Sequence, residues 1–86
     1  MSLSPEQVKI AARINARVME LIDAGLDDME IMIRMVDLMP DFKRLLDTAR
    51  EGDMDALCER FDGFFLYAKN IESVALAISS GKLKAR

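Results

Sequence analysis

The chain has 86 residues, 51% of them hydrophobic and 31% charged, with a formal net charge of −3. This length fits one domain, and the low glycine and proline content is typical of a helical protein. Histidine is absent and Cys58 is the only cysteine. The commonest acid–base residue and metal ligand is therefore missing, and no internal disulfide can form. We expect an all-α domain over residues 1–86 with no metal or cofactor.

The charges are distributed unevenly along the chain. Residues 1–19 carry +2, residues 20–62 carry −8 and residues 63–86 carry +3. A chain that folds back on itself can neutralise its acidic middle with its basic ends. The apolar runs are much shorter than the ~18 residues of a transmembrane helix. The short apolar runs and the single cysteine together favour a cytoplasmic protein without a membrane partner.

The first helix is predicted over residues 5–24. Ser4, Pro5 and Gln7 form a strong start, since serine caps the helix, proline suits its first position and glutamine completes a capping box. Apolar residues line one side. Basic residues at intervals of four line another, which we call the basic stripe: Lys9, Arg13 and Arg17. Gly25 ends the helix.

The second helix is predicted to be capped by Asp27 and to extend to Met39. Its polar residues, Glu30, Arg34 and Asp37, form one narrow stripe, so most of its circumference is apolar and must be covered by the monomer or by a partner. Methionine is concentrated here, and its adaptable side chain suits both core packing and varied binding surfaces. Pro40 ends this helix and begins a short third one, which Gly52 closes. The apolar side of the third helix comprises Phe42, Leu45, Leu46 and Ala49.

One long last helix is predicted over residues 53–80, with Asp53 as its cap. Its apolar residues follow a heptad pattern that forms a seam: Met54, Leu57, Phe61, Phe64, Ala68, Ile71, Ala75 and Ile78. Gly63 weakens a helix unless a bend or a close approach is needed. The predicted architecture is a bundle of about four helices with a short basic tail at 82–86.

The four consecutive residues 64–67 are all large and apolar or aromatic, so they cannot all face one neighbour. Two short helices stacked along the last one are not expected to cover both sides of this turn. A two-fold dimer would bury the remainder, because it presents the same patch twice. The predicted interface comprises Phe61, Phe64, Phe65, Tyr67 and Ile71.

Catalytic and metal-binding patterns are weak in this sequence. Cys58 lies beside the seam, where a free cysteine is usually a small buried hydrophobe. The acidic groups around Asp27 and Asp53 lie in predicted first turns, where the helix dipole favours negative charge, and neither has the spacing of a calcium loop. We therefore do not expect an enzyme.

The leading functional hypothesis is a small non-catalytic interaction or regulatory protein, a homodimer that binds another protein. The alternatives are a module that binds an apolar ligand in a Met-rich cavity, and a nucleic-acid-associated regulator. The acidic balance and the few cations argue against nucleic acid, even if the basic stripe met Lys82, Lys84 and Arg86. The predicted partner-binding residues are Lys9, Arg13, Arg17, Met32 and Met35.

Overall fold

Five α-helices and one 3₁₀ turn make up the fold in a computed structural model that describes residues 3–82. They are α1 (Pro5–Asp23), α2 (Asp28–Met35), the turn Val36–Leu38, α3 (Met39–Thr48), α4 (Asp53–Arg60) and α5 (Asp62–Ser79). Between residues 3 and 82 there is no strand, so the predicted all-α class is confirmed. Of the predicted basic tail, residues 83–86 lie outside the described residues.

The starts of α1 and α2 follow the predicted local chemistry. Ser4 Oγ accepts a hydrogen bond from the Gln7 amide at 3.1 Å, and Gln7 Oε1 accepts one from the Ser4 amide at 2.9 Å. This completes the capping box of α1. Asp27 Oδ1 caps α2 by accepting a hydrogen bond from the Glu30 amide at 2.8 Å. Gly52 precedes α4 with φ of 89°, a left-handed conformation that favours glycine.

The prediction of a single helix over residues 53–80 is wrong, because the chain leaves the helical conformation at Phe61. This residue has φ of −128° and ψ of 112°, so α4 ends and α5 begins there. The amides of Gly63 and Phe64 in the first turn of α5 donate to the side chain of Asn15 on α1. The break is thus stabilised by a contact between residues far apart in sequence, which the heptad pattern cannot reveal.

Asp53 does not cap its own helix as predicted. Gly52 is the N-cap residue of α4, and the buried Asp53 carboxylate instead accepts hydrogen bonds from Gln7 Nε2 at 3.0 Å and from the Arg50 amide at 2.8 Å. Gln7 Nε2 also donates to the Thr48 carbonyl at 3.4 Å. One polar cluster therefore joins the start of α1, the end of α3 and the start of α4.

The core is built around three aromatic side chains from α3 and α5. The rings of Phe42 and Phe64 are 6.0 Å apart, and those of Phe42 and Tyr67 are 5.1 Å apart in an edge-on arrangement. Edge-on pairing is favourable because the positive edge of one ring meets the negative face of the other. The predicted seam contributes to this core despite the break at Phe61. Its members that belong to this core or pack against it are Met54, Leu57, Phe61, Phe64, Ala68, Ile71 and Ile78.

The principal dimensions of the molecule are 39 × 28 × 17 Å. Each of the five α-helices described carries exposed residues. Within residues 3–82, no helix is both long enough and apolar enough to span a bilayer.

Candidate functional site

An open apolar groove, which we call the Met-lined groove, lies where the end of α1, the whole of α2 and the length of α5 meet. Its larger part has a volume of about 520 Å³ and its smaller part about 230 Å³. The two parts share Met32 and Asn70 and are therefore adjoining. The larger part is lined by Ile22, Leu26, Asp28, Ile31, Met32, Met35, Leu66 and Asn70, and the smaller by Met29, Met32, Asn70, Ser73, Val74, Ala77 and Lys82.

The groove exists because α2 is apolar on more sides than the fold covers. Met35 is only 2% exposed and belongs to the core. Met32 is half-buried between the two parts of the groove, and Met29 is 54% exposed at the rim. Successive methionines on α2 thus change from core to surface within two turns. The predicted need to cover this helix on several sides is met only in part, since Ile31, Met32 and Ile33 pack against the core but are only partly buried.

The two parts of the groove carry opposite charges. Asp28 lines the larger part, and Asp23 and Asp27 are exposed beside it around the α1–α2 turn. Within the described part of the chain, none of these three carboxylates forms an ion pair. Lys82 lines the smaller part. A ligand in this groove therefore meets acid at the α1–α2 turn and a cation beyond α5.

Three of the five predicted interface residues lie in the core instead. Phe64 and Tyr67 are completely buried and Ile71 nearly so, which makes all three unavailable to a second chain in this structure. The seam faces inward because α1 and α3 pack on it. Phe61 is partly buried, with the Arg60 guanidinium 5.6 Å from its ring centroid. Phe65 remains at the surface and is 50% exposed.

The basic stripe and the groove methionines do not form one site. Arg13 pairs with Asp41 at 3.5 Å, and Arg17 pairs with Glu20 on its own helix. Lys9 and Arg13 line a different surface depression of about 400 Å³, which shares no residue with the Met-lined groove. The arginines of the stripe are therefore partly neutralised by neighbouring carboxylates. Of the predicted binding methionines, Met35 lines the larger part of the groove but is only 2% exposed, whereas Met32 is half-buried.

No protein-family model, curated protein or solved structure matches this chain.

Sequence reasoning identified Met32 but missed the α1 and α5 walls of the groove. Ile22 near the end of α1 is 41% exposed and lines the groove. Leu66 and Asn70 belong to α5, more than 30 residues from α2 in sequence. A helical pattern gives the side of a helix on which each residue lies, but not which sides of three helices meet. The signal for the groove in the sequence was the apolar surface of α2, which is larger than one neighbouring helix can cover.

Cys58 lies at the edge of the core with intermediate exposure. Burial raises the pKa of its thiol, and the nearby Asp55 carboxylate raises it further. Both effects favour the neutral thiol over the reactive thiolate. Among residues 3–82, no group of three or more carboxylate, cysteine or histidine side chains is arranged to hold a metal ion.

Proposed function

We propose that this chain is a small non-catalytic interaction protein that binds an amphipathic helix of a partner protein in the Met-lined groove. The observation that supports the proposal is the groove itself, an open apolar surface between three helices with Met32 at its centre. We further propose a cytoplasmic location, because the lone Cys58 suits a reducing compartment.

The shape and lining of the groove favour a helix as the ligand. An amphipathic helix binds a groove through apolar residues at intervals of three and four, which matches a surface formed by packed helices. The eight residues of α2 are about 12 Å long, enough to contact two turns of such a ligand. Methionine side chains adapt to different apolar partners because they are unbranched and flexible.

The charges of the two parts of the groove favour one class of helix. Asp28, with Asp23 and Asp27 beside it, attracts a lysine or arginine of the ligand. Charge complementarity of this kind sets orientation and partner choice more than raw affinity. We therefore expect an amphipathic helix with a basic end to bind more tightly than the same helix with an acidic end.

The test uses two synthetic helical peptides that share an apolar side and differ only in having lysine or glutamate at one end. Binding is followed by NMR on protein labelled at the methionine methyl groups. We expect the Met29 and Met32 methyl signals to shift, with the lysine peptide binding at least about fivefold more tightly. Met32→Glu should abolish binding. Leu46→Glu is the matched control, because Leu46 is an exposed apolar residue of α3 outside the groove.

A second candidate, a small amphipathic lipid, is supported by Lys82 beside the apolar residues of the smaller part of the groove. A fatty acid could place its carboxylate at this ammonium group and its chain along Met29 and Met32. Lauric acid that shifts these methyl signals and raises the melting temperature, when neither peptide does, would establish this candidate instead. Unchanged methyl signals with both kinds of ligand would refute the use of the groove.

A further inference from the structure

The outward side of α5 carries a second apolar surface that is separate from the Met-lined groove. Phe65 is 50% exposed and Leu76 is 70% exposed, the highest exposure among the large hydrophobic residues described. Lys69 and Glu72 are exposed between them. Intervals of four, three and four place these residues on one side of the helix. We call the four residues the outer seam; none of them lines the groove.

The two charged residues of the outer seam are available to another molecule. Within the described part of the chain, neither Lys69 nor Glu72 has an ion-pair partner. The outer seam therefore presents an apolar residue at each end, with one cation and one anion between them. Its order along the chain is aromatic, cation, anion, aliphatic.

We propose that the outer seam is a self-complementary dimer surface, on which two copies of α5 pair antiparallel about a two-fold axis between residues 70 and 71. This axis places Phe65 opposite Leu76 of the partner subunit, because the two residues are equally far from it. The same axis places Lys69 opposite Glu72 of the partner subunit. Each contact occurs twice, as a two-fold interface requires. The occupant of this surface is thus a second copy of the chain.

Charge selects the antiparallel arrangement over the parallel one. In a parallel pair, Lys69 would face Lys69 of the partner subunit, and two like charges directly opposite each other are unfavourable. In the antiparallel pair, Lys69 meets Glu72 of the partner subunit and Phe65 packs against Leu76 of the partner subunit. Each of these favourable contacts occurs twice. The alternation of four- and three-residue intervals is also that of a short coiled-coil seam.

The size of the surface indicates a reversible dimer. Four positions on each copy form the seam, so the buried area falls at the low end of specific interfaces, below about 1,200 Å² in total. Two small residues beside the seam, Ala68 and Ala75, allow the two helices to approach closely. This pairing uses neither Met29 nor Met32, so it stands independently of helix binding in the groove.

Charge exchange tests both the surface and the direction of pairing. Molar mass is measured by sedimentation equilibrium over a dilution series for the wild type, Lys69→Glu, Glu72→Lys and the double variant. In the antiparallel pair each single variant makes two repulsive contacts, so its dissociation constant should rise about tenfold or more. The double variant restores both attractive contacts and should dimerise within about threefold of wild type. An equimolar mixture of the two single variants should likewise form a heterodimer.

Two controls keep the result interpretable. Leu46→Glu places a new charge on an exposed apolar position outside the outer seam and should leave the dissociation constant unchanged. Circular dichroism confirms that each variant is folded. A wild-type chain of 9.7 kDa that stays monomeric at 1 mM would overturn the proposal. So would single variants that dimerise as well as wild type, or a double variant as weak as the singles.

Discussion

The side chain of Asn15 on α1 caps α5 from outside that helix. Its Oδ1 accepts hydrogen bonds from the Gly63 amide at 2.6 Å and from the Phe64 amide at 3.3 Å. These amides belong to the first turn of α5, where backbone donors have no partner within the helix. A Cβ atom on Gly63 would lie 2.5 Å from Asn15 Oδ1 and 2.8 Å from the Asn15 carbonyl oxygen. Glycine is therefore what allows α1 and α5 to come this close.

Gly63→Ala should destabilise the fold by about 1–3 kcal/mol, since the added methyl group collides with the backbone of Asn15. Asn15→Ala should cost about 1 kcal/mol through loss of the cap. The measurement is the free energy of unfolding from urea denaturation. Ser73→Ala, an exposed position inside the same helix, is the control and should be neutral or slightly stabilising. A Gly63→Ala protein more stable than wild type would show that helix propensity outweighs the contact.

Asp53 should make stability depend on pH in the acid range. Hydrogen bonds from the Arg50 amide and then from the Gln7 side chain lower the pKa of its carboxyl group below the ordinary value of 3.8. The unfolded chain therefore binds the proton at higher pH than the folded one. The contribution of Asp53 is fully present above the unfolded pKa and is lost as the pH falls through the folded pKa.

The variant that isolates this contribution is Asp53→Asn, compared with wild type by urea denaturation from pH 2 to pH 7. We expect the variant to be less stable at neutral pH and the difference to shrink at acid pH. Asp55→Asn removes the same charge from an exposed position on the same helix, so it serves as the control for charge alone. Equal losses of stability in both variants at neutral pH would contradict a specific role for the Gln7–Asp53 contact.

Tyr67→Phe should raise the free energy of unfolding at neutral pH by about 1 kcal/mol. The Tyr67 hydroxyl is buried without a hydrogen-bond partner among the described residues, and an unsatisfied buried polar group is unfavourable. The phenyl ring retains the packing against Phe42. Urea denaturation measures the change. A variant less stable than wild type would mean that the hydroxyl makes a stabilising contact.

The same substitution should alter stability at high pH. Burial raises the pKa of the Tyr67 phenol well above its ordinary value of 10, and the Asp41 carboxylate raises it further. Above about pH 10 the unfolded phenol loses its proton while the folded one keeps it, so wild-type stability falls as pH rises. Between pH 8 and pH 11, the melting temperature of Tyr67→Phe should fall less steeply than that of the wild type. Identical pH profiles for the two proteins would rule out this contribution.

Local signals predicted the all-α class and the starts of α1 and α2, but not the end of α2 at Met35, the break at Phe61 or the contacts between the helices. Ser4 and Asp27 mark helix starts through their own backbone and nearest neighbours, so the sequence alone was sufficient there. Gly52 was predicted to close the third helix, but α3 already ends at Thr48 and Gly52 is the N-cap residue of α4. Phe61 continues the heptad pattern perfectly, yet the helix breaks there because Asn15 supplies a cap from another helix. The pattern was right about which side of the chain is buried, but it does not distinguish burial within one copy from burial between two.

The same limit applies to the candidate surfaces. The large apolar surface of α2 was visible in the sequence. That Met32, Ile22 and Leu66 line the same groove depends on how three helices are placed. Phe64 and Tyr67 were predicted in a dimer interface, yet both are buried in the core, where Phe42 of α3 packs against them. Predicting these contacts requires knowledge of the tertiary packing. Helical periodicity gives only the direction in which each side chain points.

Met35 and Met32 lie one turn apart on α2 and should respond differently to the same substitution. Met35 is enclosed in the core, so Met35→Ala should cost about 2–5 kcal/mol of unfolding free energy by leaving a cavity. Met32 faces the open groove, where solvent can fill the space left, and Met32→Ala should cost about 1 kcal/mol or less.

Urea denaturation of the two variants checks this difference, and each serves as the control for the other because both remove the same side chain from the same helix. Met32→Ala should remain folded while losing affinity for the basic helical peptide. If its loss of stability equalled that of Met35→Ala, Met32 would be a core residue and the groove would be closed in solution. The proposal that this surface receives a partner helix would then lose its central contact, whereas pairing through the outer seam of α5 would be unaffected.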